Sequence, residues 1–351
     1  MIARSARSFF VGLSAVAFAS VALAQTSFEK IVRADLFSID GMALVAQAKQ
    51  STGRSLLVSN ATIEPANGAD MLVQVFDARG NVLHDLVIGN LDYHDVCKEV
   101  AQLGSAYYLT GFTRSIDTSA AHTFTAFVIK LDTALNFIWQ KNYILPGQEL
   151  YANAITPTMN SQLLIAGQIY DGSDFHTCVM RADTLGNLIW IKQYALDNSE
   201  GFTCIRELPG NEIMLSGSIT FGFELSVPIV LKLDAQGTPV WGKYFNYPPV
   251  SFVERSAFQF IRSISNTEIL LAGHTDVMGA GGQDVYVVRI DSSGAVMQAH
   301  TYGGDQFEEP YGLNFDQHLG ELVVEGATGS FDPQFMPRGM SLRILPNGTL
   351  V

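Results

Sequence analysis

Six repeats of about fifty residues predict an all-β fold for this chain, a six-bladed β-propeller with four antiparallel strands in each blade. A hairpin signature recurs along the chain, as in Lys232-Leu233-Asp234 followed by Gly237 and Trp241. Its turn position falls at residues 77, 132, 183, 234, 291 and 345, so the repeats are 51 to 57 residues long. This period is typical of propeller blades.

The signature is typical of a strand, a tight turn and a second strand. In Asp-x-x-Gly, the Asp carboxylate is expected to accept backbone N–H bonds, and Gly is favoured at the fourth turn position in a left-handed conformation. A Trp and an aromatic residue follow Asp at seven and eleven places. They could line a ligand site or pack between neighbouring sheets. Repetition favours packing, because a repeated motif is usually what the fold needs.

Each repeat holds four strand-like runs, called A to D in chain order. In the fourth repeat they fall at 202–208, 212–218, 227–234 and 238–245. The sixth repeat supplies A, B and C and then ends too soon for a full D strand. An alternating run at 28–34 is the expected missing strand. We therefore predict that the N-terminal strand closes the last blade, since a closed ring leaves no exposed sheet edge.

The first 24 residues have the features of a secretory signal peptide. Two arginines precede an apolar run from Phe9 to Val21, and Ala22-Leu23-Ala24 gives a small-x-small cleavage site before Gln25. The mature chain, 25–351, is expected to be a single propeller domain, secreted or periplasmic, and monomeric. No later run approaches the ~20 apolar residues that a membrane helix needs, so no membrane span is expected.

The net charge bears on which partners the chain can bind, and the positions of its cysteines bear on whether disulfide bonds form. Removing Arg4 and Arg7 with the signal takes the net charge from −13 to −15, which argues against nucleic acid and anionic membranes. The three cysteines lie in predicted strands of three different repeats. We expect buried thiols without an intrachain disulfide, because bonded cysteines need Cα atoms within about 7 Å.

The sixth repeat carries the pattern Tyr302-Gly303-Gly304-Asp305, then Glu308-Glu309 and a strand ending at Gly326. With the basic-Leu-Asp-x-x-Gly and Trp elements, this resembles the repeats of secreted bacterial β-propellers across nearly the whole mature chain. The resemblance implies the fold and says little of activity. The chain departs from the pattern at several turn and Trp positions, which are Leu135, Leu345, His84 and Gln298.

An acidic residue recurs where each A strand begins. These candidate channel-mouth residues are Asp95, Glu149, Glu200, Glu254 and Glu309. They could form a cation or substrate site, or each could cap backbone N–H groups of its own crossover. Weak candidates for a metal site are Asp171, Asp174, Asp276 and Asp284. No cofactor is predicted, although Ca²⁺ stays open because it binds clustered oxygen ligands.

The loops indicate which face contacts a partner. The long D–A crossovers and B–C loops must share one face, and function tends to lie on such loops. That face is acidic and carries aromatic residues, among them Phe124, Tyr151 and Phe175. This combination suits a protein or glycan partner.

No catalytic residue can be named from the sequence. The favoured function is a binding or scaffolding module. The alternative is a hydrolase or lactonase-like enzyme with an acidic, metal-binding site at the channel mouth. A sialidase-like enzyme would need three converging arginines, and nothing in the sequence brings Arg206, Arg255, Arg262 and Arg338 together.

Overall fold

The computed structural model describes most of the chain beyond its N-terminal segment. The described residues are 48–49, 54–61, 70–77, 79, 81–89, 93–115, 124–194, 199–221, 225–245, 254–316, 319–330, 338–345 and 347–351. The signal peptide, its cleavage site and the strand predicted at 28–34 lie outside them. In this part of the chain no helix is long and apolar enough to cross a membrane.

The described residues form six sheets, the blades of a six-bladed β-propeller, which confirms the predicted fold class. The first blade contains β1 (Ala48–Lys49), β2 (Ser55–Ala61), β3 (Asp70–Phe76) and β4 (Val82–Ile88). The second contains β5 (Tyr93–Leu103), β6 (Ala106–Ser115), β7 (Thr125–Asp132) and β8 (Phe137–Tyr143). The third contains β9 (Glu149–Pro157), β10 (Leu163–Tyr170), β11 (Phe175–Ala182) and β12 (Leu188–Tyr194).

The remaining three blades follow the same order, each strand pairing antiparallel with the next. The fourth contains β13 (Ser199–Glu207), β14 (Ile213–Phe221), β15 (Leu225–Leu233) and β16 (Pro239–Tyr244), and β17 (Glu254–Arg255) pairs parallel with β15. The fifth contains β18 (Ala257–Ser263), β19 (Glu268–Thr275), β20 (Asp284–Asp291) and β21 (Val296–Tyr302). The sixth has three strands among the described residues, β22 (Glu308–Asp316), β23 (Glu321–Thr328) and β24 (Arg338–Ile344).

The chain divides into two compact units. The first comprises residues 1–97 and 114–122, and it contains the first blade. The second comprises residues 98–113 and 123–351, and it contains the third to sixth blades together with most of the second. That residues 25–351 act as a single domain stays a prediction.

The repeated turn has the predicted chemistry. In the fourth blade, Asp234 Oδ1 accepts bonds from the backbone N–H groups of Gln236 and Thr238 at 2.9 and 2.7 Å. Gly237 donates to the Asp234 carbonyl at 3.0 Å and has φ of 78°, in the left-handed region that glycine adopts without a steric cost. Leu135, which replaces this glycine in the second blade, takes the same conformation with φ of 65°.

The rest of the signature joins neighbouring blades of the second unit. The hydroxyl of Tyr194 donates to the Gly237 carbonyl of the next blade at 2.7 Å. A Cβ on Gly237 would lie 2.9 Å from the Trp190 ring, so that ring lies directly on the next turn. The basic residues of the signature also bond to the turn of the next blade, since Arg181 Nη1 donates to the Ala235 carbonyl at 2.8 Å. Tyr143, Tyr302, Lys130 and Lys232 make the equivalent bonds. The repeated residues are therefore packing residues, as predicted.

The interior follows from alternating strands whose buried faces meet between blades. One core cluster joins Ala126 and Val128 of the second blade to Leu163 and Ile165 of the third. The three cysteines, Cys97, Cys178 and Cys204, are buried and form no disulfide with one another. They lie on β5, β11 and β13, in three different blades, as predicted.

Candidate functional site

The crossovers and the B–C loops of the second unit lie at the same end of the strands, which we call the crossover face. Leu150, just past the second crossover, donates its backbone N–H to the Phe124 carbonyl at the start of β7, at 2.9 Å. Ser256 donates in the same way to the Ser226 carbonyl at 2.9 Å. These bonds tie each crossover to the B–C loop of the preceding blade. The short A–B and C–D turns lie at the other end, the short-turn face.

Five rings from the second and third blades meet on the crossover face. We call them the aromatic cluster, and its members are Phe112, Phe124, Tyr151, Tyr170 and Phe175. The Phe124 and Tyr151 ring centroids are 4.7 Å apart, and those of Tyr170 and Phe175 are 4.8 Å apart. Tyr151 also contacts Phe112 edge-on at 5.2 Å and Phe175 at 5.8 Å. The rings therefore form one continuous apolar surface.

The strand ends place these rings together. Phe112 and Tyr170 lie near the ends of two B strands, while Phe175 begins a C strand and Tyr151 lies near the start of an A strand. Four of the rings are half-buried, and the side chain of Phe175 is 38% exposed. Aromatic surface that stays partly in contact with water is available for binding.

Carboxylates border the aromatic cluster. The hydroxyl of Tyr151 donates to Glu149 Oε2 at 2.6 Å, which holds that carboxylate beside the rings. Asp171 and Asp174 are exposed in the loop between Tyr170 and Phe175. The backbone N–H of Asp174 and the hydroxyl and N–H of Ser173 hold the pKa of Asp171 well below its usual range. The loop therefore keeps a negative charge next to the cluster.

A lysine of the chain already lies over one ring. Lys98 Nζ is 5.5 Å from the ring centroid of Phe112, within the distance of a cation–π contact. The cluster therefore combines ring faces that attract a cation with carboxylates that attract the same charge.

The predicted channel-mouth residues differ from one another in their surroundings. Glu309, like Glu149, accepts a bond from a tyrosine two residues later, since the hydroxyl of Tyr311 lies 3.1 Å from Glu309 Oε2. Glu200 lies in β13, and Glu254 lies in the two-residue strand β17. Asp95 is buried in the first unit, where burial and the charge of Asp95 raise the pKa of Asp70. Among those described with side chains, these carboxylates have local partners.

The metal candidates are dispersed. Asp171 Oδ1 accepts hydrogen bonds from Ser173 and Asp174 of its own loop. Asp276 Oδ1 accepts the backbone N–H of Arg255 at 2.7 Å. Within the described part of the chain, no three His, Cys, Asp or Glu side chains come together as a metal-ligand set. Calcium binding stays a prediction.

Asp284 belongs to a buried carboxyl pair that the sequence analysis missed. Asp284 and Glu308 are both fully buried. Asp284 Oδ1 and Glu308 Oε2 lie 1.6 and 2.2 Å from the position that a Cβ would take on Gly303, so the two oxygens lie within about 4 Å of each other. Burial raises the pKa of Asp284 to about 6, the Ala280 N–H bond lowers it, and the charge of Glu308 raises it further. Asp284 therefore stays protonated into mildly acidic solution.

Backbone and hydroxyl donors surround this pair. The N–H of Gly304 donates to Glu308 Oε2 at 2.8 Å, and the hydroxyl of Thr328 donates to Glu308 Oε1 at 2.6 Å. The pair joins the B–C loop of the fifth blade to the crossover into the sixth, and both side chains are shielded from solvent. Glycine-rich loops on both sides, at 279–282 and 303–304, are the sequence signal that could have revealed it.

Comparisons with known proteins give the fold alone. No family model and no curated protein matches the chain. A solved protein of unknown function from Dyadobacter fermentans is 10% identical, with a TM-score of 0.54, over 84% of this chain and 92% of that one. A mutant of Trypanosoma rangeli sialidase displaying trans-sialidase activity is 12% identical, with a TM-score of 0.51, over 96% and 58%. Puromycin hydrolase is 12% identical, with a TM-score of 0.50, over 91% and 49%.

The arginines give no support to a sialidase-like reaction. Arg206 is held by Glu99, with Nη2 3.3 Å from Oε1, and its Nη1 donates to the Ile205 carbonyl at 2.7 Å. The other oxygen of Glu99 accepts the backbone N–H of Ile155 at 2.6 Å. This ion pair links the A strands of the second, third and fourth blades, so Arg206 has a structural partner.

Proposed function

We propose that the chain is an exported, monomeric β-propeller that binds a protein partner through the crossover face, with the aromatic cluster as the contact surface. The partner presents a basic segment. The observation that supports this most is the continuous five-ring surface bordered by Glu149, Asp171 and Asp174. Aromatic side chains give contact area at low entropic cost, and carboxylates steer a cationic partner.

The chemistry favours lysine or arginine side chains as the groups recognised. A cation over a ring face is stabilised by about 0.5 to 2 kcal/mol, depending on how far it is desolvated. Lys98 over Phe112 shows that the cluster accommodates an ammonium group at 5.5 Å. The net charge of −13 for the whole sequence adds a long-range attraction for a basic partner.

A lysine-rich peptide tests the proposal directly. The mature chain is titrated with a labelled oligolysine peptide, and Phe175→Ala and Glu149→Gln are compared with the wild type. We expect each variant to bind about three- to tenfold more weakly, the cost of one lost contact. Phe137→Ala is the matched control, because Phe137 is 56% exposed on β8, away from the cluster.

The salt dependence of peptide binding distinguishes long-range attraction between charges from direct contact with the rings. Raising the ionic strength should weaken wild-type binding, because exposed charges are screened beyond about 8 Å at physiological salt. Equal binding by wild type, Phe175→Ala and Glu149→Gln would show that the peptide binds elsewhere and would refute the proposed surface. Charge reversal at Glu200, Glu254 and Glu309 then measures how far the contact area extends along the same face.

A further inference from the structure

A cavity opens on the short-turn face, between the third and fourth blades. Its volume is about 430 Å³, which lies in the range of small-molecule sites. Four carboxamide residues line it, together with Arg181, Ile189, Trp190 and Ala235. The carboxamides are those of Asn160, Gln162, Asn211 and Gln236.

This cavity lies beside a blade that lacks a glutamate found in the fourth, fifth and sixth blades. In the fourth blade, the residue just before the B strand is Glu212, whose carboxylate pairs with Lys232 at 2.7 Å. The fifth and sixth blades pair Glu268 with Arg289 and Glu321 with Arg343 in the same way. The third blade has Gln162 instead, and its Oε1 accepts the bond from Arg181 Nε at 2.7 Å. The second blade has Ala106 at this position, so the third blade is distinguished by a carboxamide at the cavity wall.

The exchange removes a carboxylate from the cavity wall, whose exposed surface is mainly apolar, and leaves Arg181 as the one charged residue among the described lining residues. Arg181 is 8% exposed, and its remaining nitrogens face the Ala235 carbonyl at 2.8 Å and Glu207 Oε1 at 3.7 Å. Its charge is therefore compensated inside the protein, which disfavours an anion as ligand. None of the described residues that line the cavity carries a carboxylate, which disfavours a cation.

We propose that this cavity is a ligand site for a small neutral polyol, such as a single pyranose. A carboxamide offers two N–H donors and one acceptor, which matches hydroxyl groups that both donate and accept. Because Gln162 Oε1 is used by Arg181, its Nε2 group is the part that remains to donate to the ligand. The half-buried ring of Trp190 provides an apolar wall for the C–H face of a sugar. The site is independent of the aromatic cluster, since it lies at the other end of the strands.

Nuclear magnetic resonance of the mature chain tests the site. Side-chain amide signals are followed while D-glucose, D-galactose, D-mannose and N-acetyl-D-glucosamine are each added to about 100 mM, in the weak-binding range. We expect saturable shifts with at least one of these sugars. Gln162→Glu keeps an oxygen that accepts the bond from Arg181 Nε. It introduces the glutamate that the fourth, fifth and sixth blades have at this position, and it removes the Nε2 donor. It should weaken binding about three- to tenfold, as expected for one lost hydrogen bond.

Two further variants make the result decisive. Gln236→Ala removes a carboxamide from an exposed turn, so it tests the site even if Gln162→Glu fails to fold, and it should weaken binding to a similar degree. Gln140→Ala removes an exposed carboxamide of β8 that does not line the cavity, and it should bind as the wild type does. Absence of saturable shifts with all four sugars, or binding that both cavity variants retain in full, would overturn the proposal.

Discussion

Replacing Asp284 by Asn should change how the stability of the protein depends on pH. In the wild type, Asp284 and Glu308 are fully buried and lie close together, so burial and the charge of Glu308 favour the protonated form of Asp284. Asparagine keeps the shape and donates an N–H to Glu308 at every pH. Its oxygen can still accept the bond that Ala280 N–H makes to Asp284 Oδ2 at 2.8 Å.

The direction of the effect follows from the raised pKa. The pKa of Asp284 is about 6 in the folded protein and 3.8 is its ordinary value. The folded state therefore binds more protons than the unfolded state between these values. The stabilisation is fully present below about pH 4 and is lost as the pH rises through 6. The loss in unfolding free energy is on the order of 1 to 3 kcal/mol, from about 1.4 kcal/mol for each unit of pKa.

The assay is denaturant or thermal unfolding of wild type and Asp284→Asn from pH 4 to 8. We expect the two to be close in stability at pH 4 and the variant to gain on the wild type by about 1 to 3 kcal/mol at pH 8. Asp171→Asn is a control without such a slope, because donors in its own loop lower the pKa of Asp171 and leave it ionised in the folded and the unfolded protein over most of this pH range. Parallel pH profiles for wild type and Asp284→Asn would refute the raised pKa of Asp284 in the folded protein.

Four further outcomes test the fold. Gly237→Ala should cost about 1 to 3 kcal/mol more than Gly104→Ala, because both have positive φ but only at Gly237 would the new Cβ meet an aromatic ring, at 2.9 Å. Tyr194→Phe should cost about 1 to 2 kcal/mol by leaving the Gly237 carbonyl without its buried bond, whereas Tyr170→Phe, whose bond to Gly172 is exposed, should cost little. Thiol titration should find almost no reaction in the native protein and three thiols in denaturant, and a count of one would indicate a disulfide. Deleting residues 28–34 should lower the unfolding free energy by several kcal/mol out of roughly 5 to 15, and an unchanged melting temperature would contradict closure by that strand.

Much of the fold was predictable because it is built from local patterns. The turn at Asp234 and Gly237 depends on residues within five positions of each other, so its conformation follows from the sequence alone. Strand order follows from the same periodicity, since short turns join antiparallel neighbours. The opposite placement of crossovers and short turns then follows from chain direction, and the contacts at Leu150 and Ser256 agree with it.

The candidate sites were less predictable because their parts come from different repeats. Phe124, Tyr151 and Phe175 were expected on one face, but the inclusion of Phe112 and Tyr170 depends on side-chain packing between blades. Glu309 was chosen as a functional acid, while its neighbour Glu308 forms the buried pair with Asp284. Strand alternation gives the two neighbours opposite faces, but which face is buried depends on the loop of the preceding blade.

The sequence by itself determined the all-β class, the repeat length, the turn chemistry and the predicted export signal, because each depends on residues close together in the chain. Only the tertiary structure decided that Gln162, Asn211 and Gln236 line one cavity. It also decided that the carboxyl groups of Asp284 and Glu308, 24 residues apart, share one buried volume. These groupings form across blade boundaries, where the distance between two side chains is set by how the sheets pack and not by their spacing in the chain.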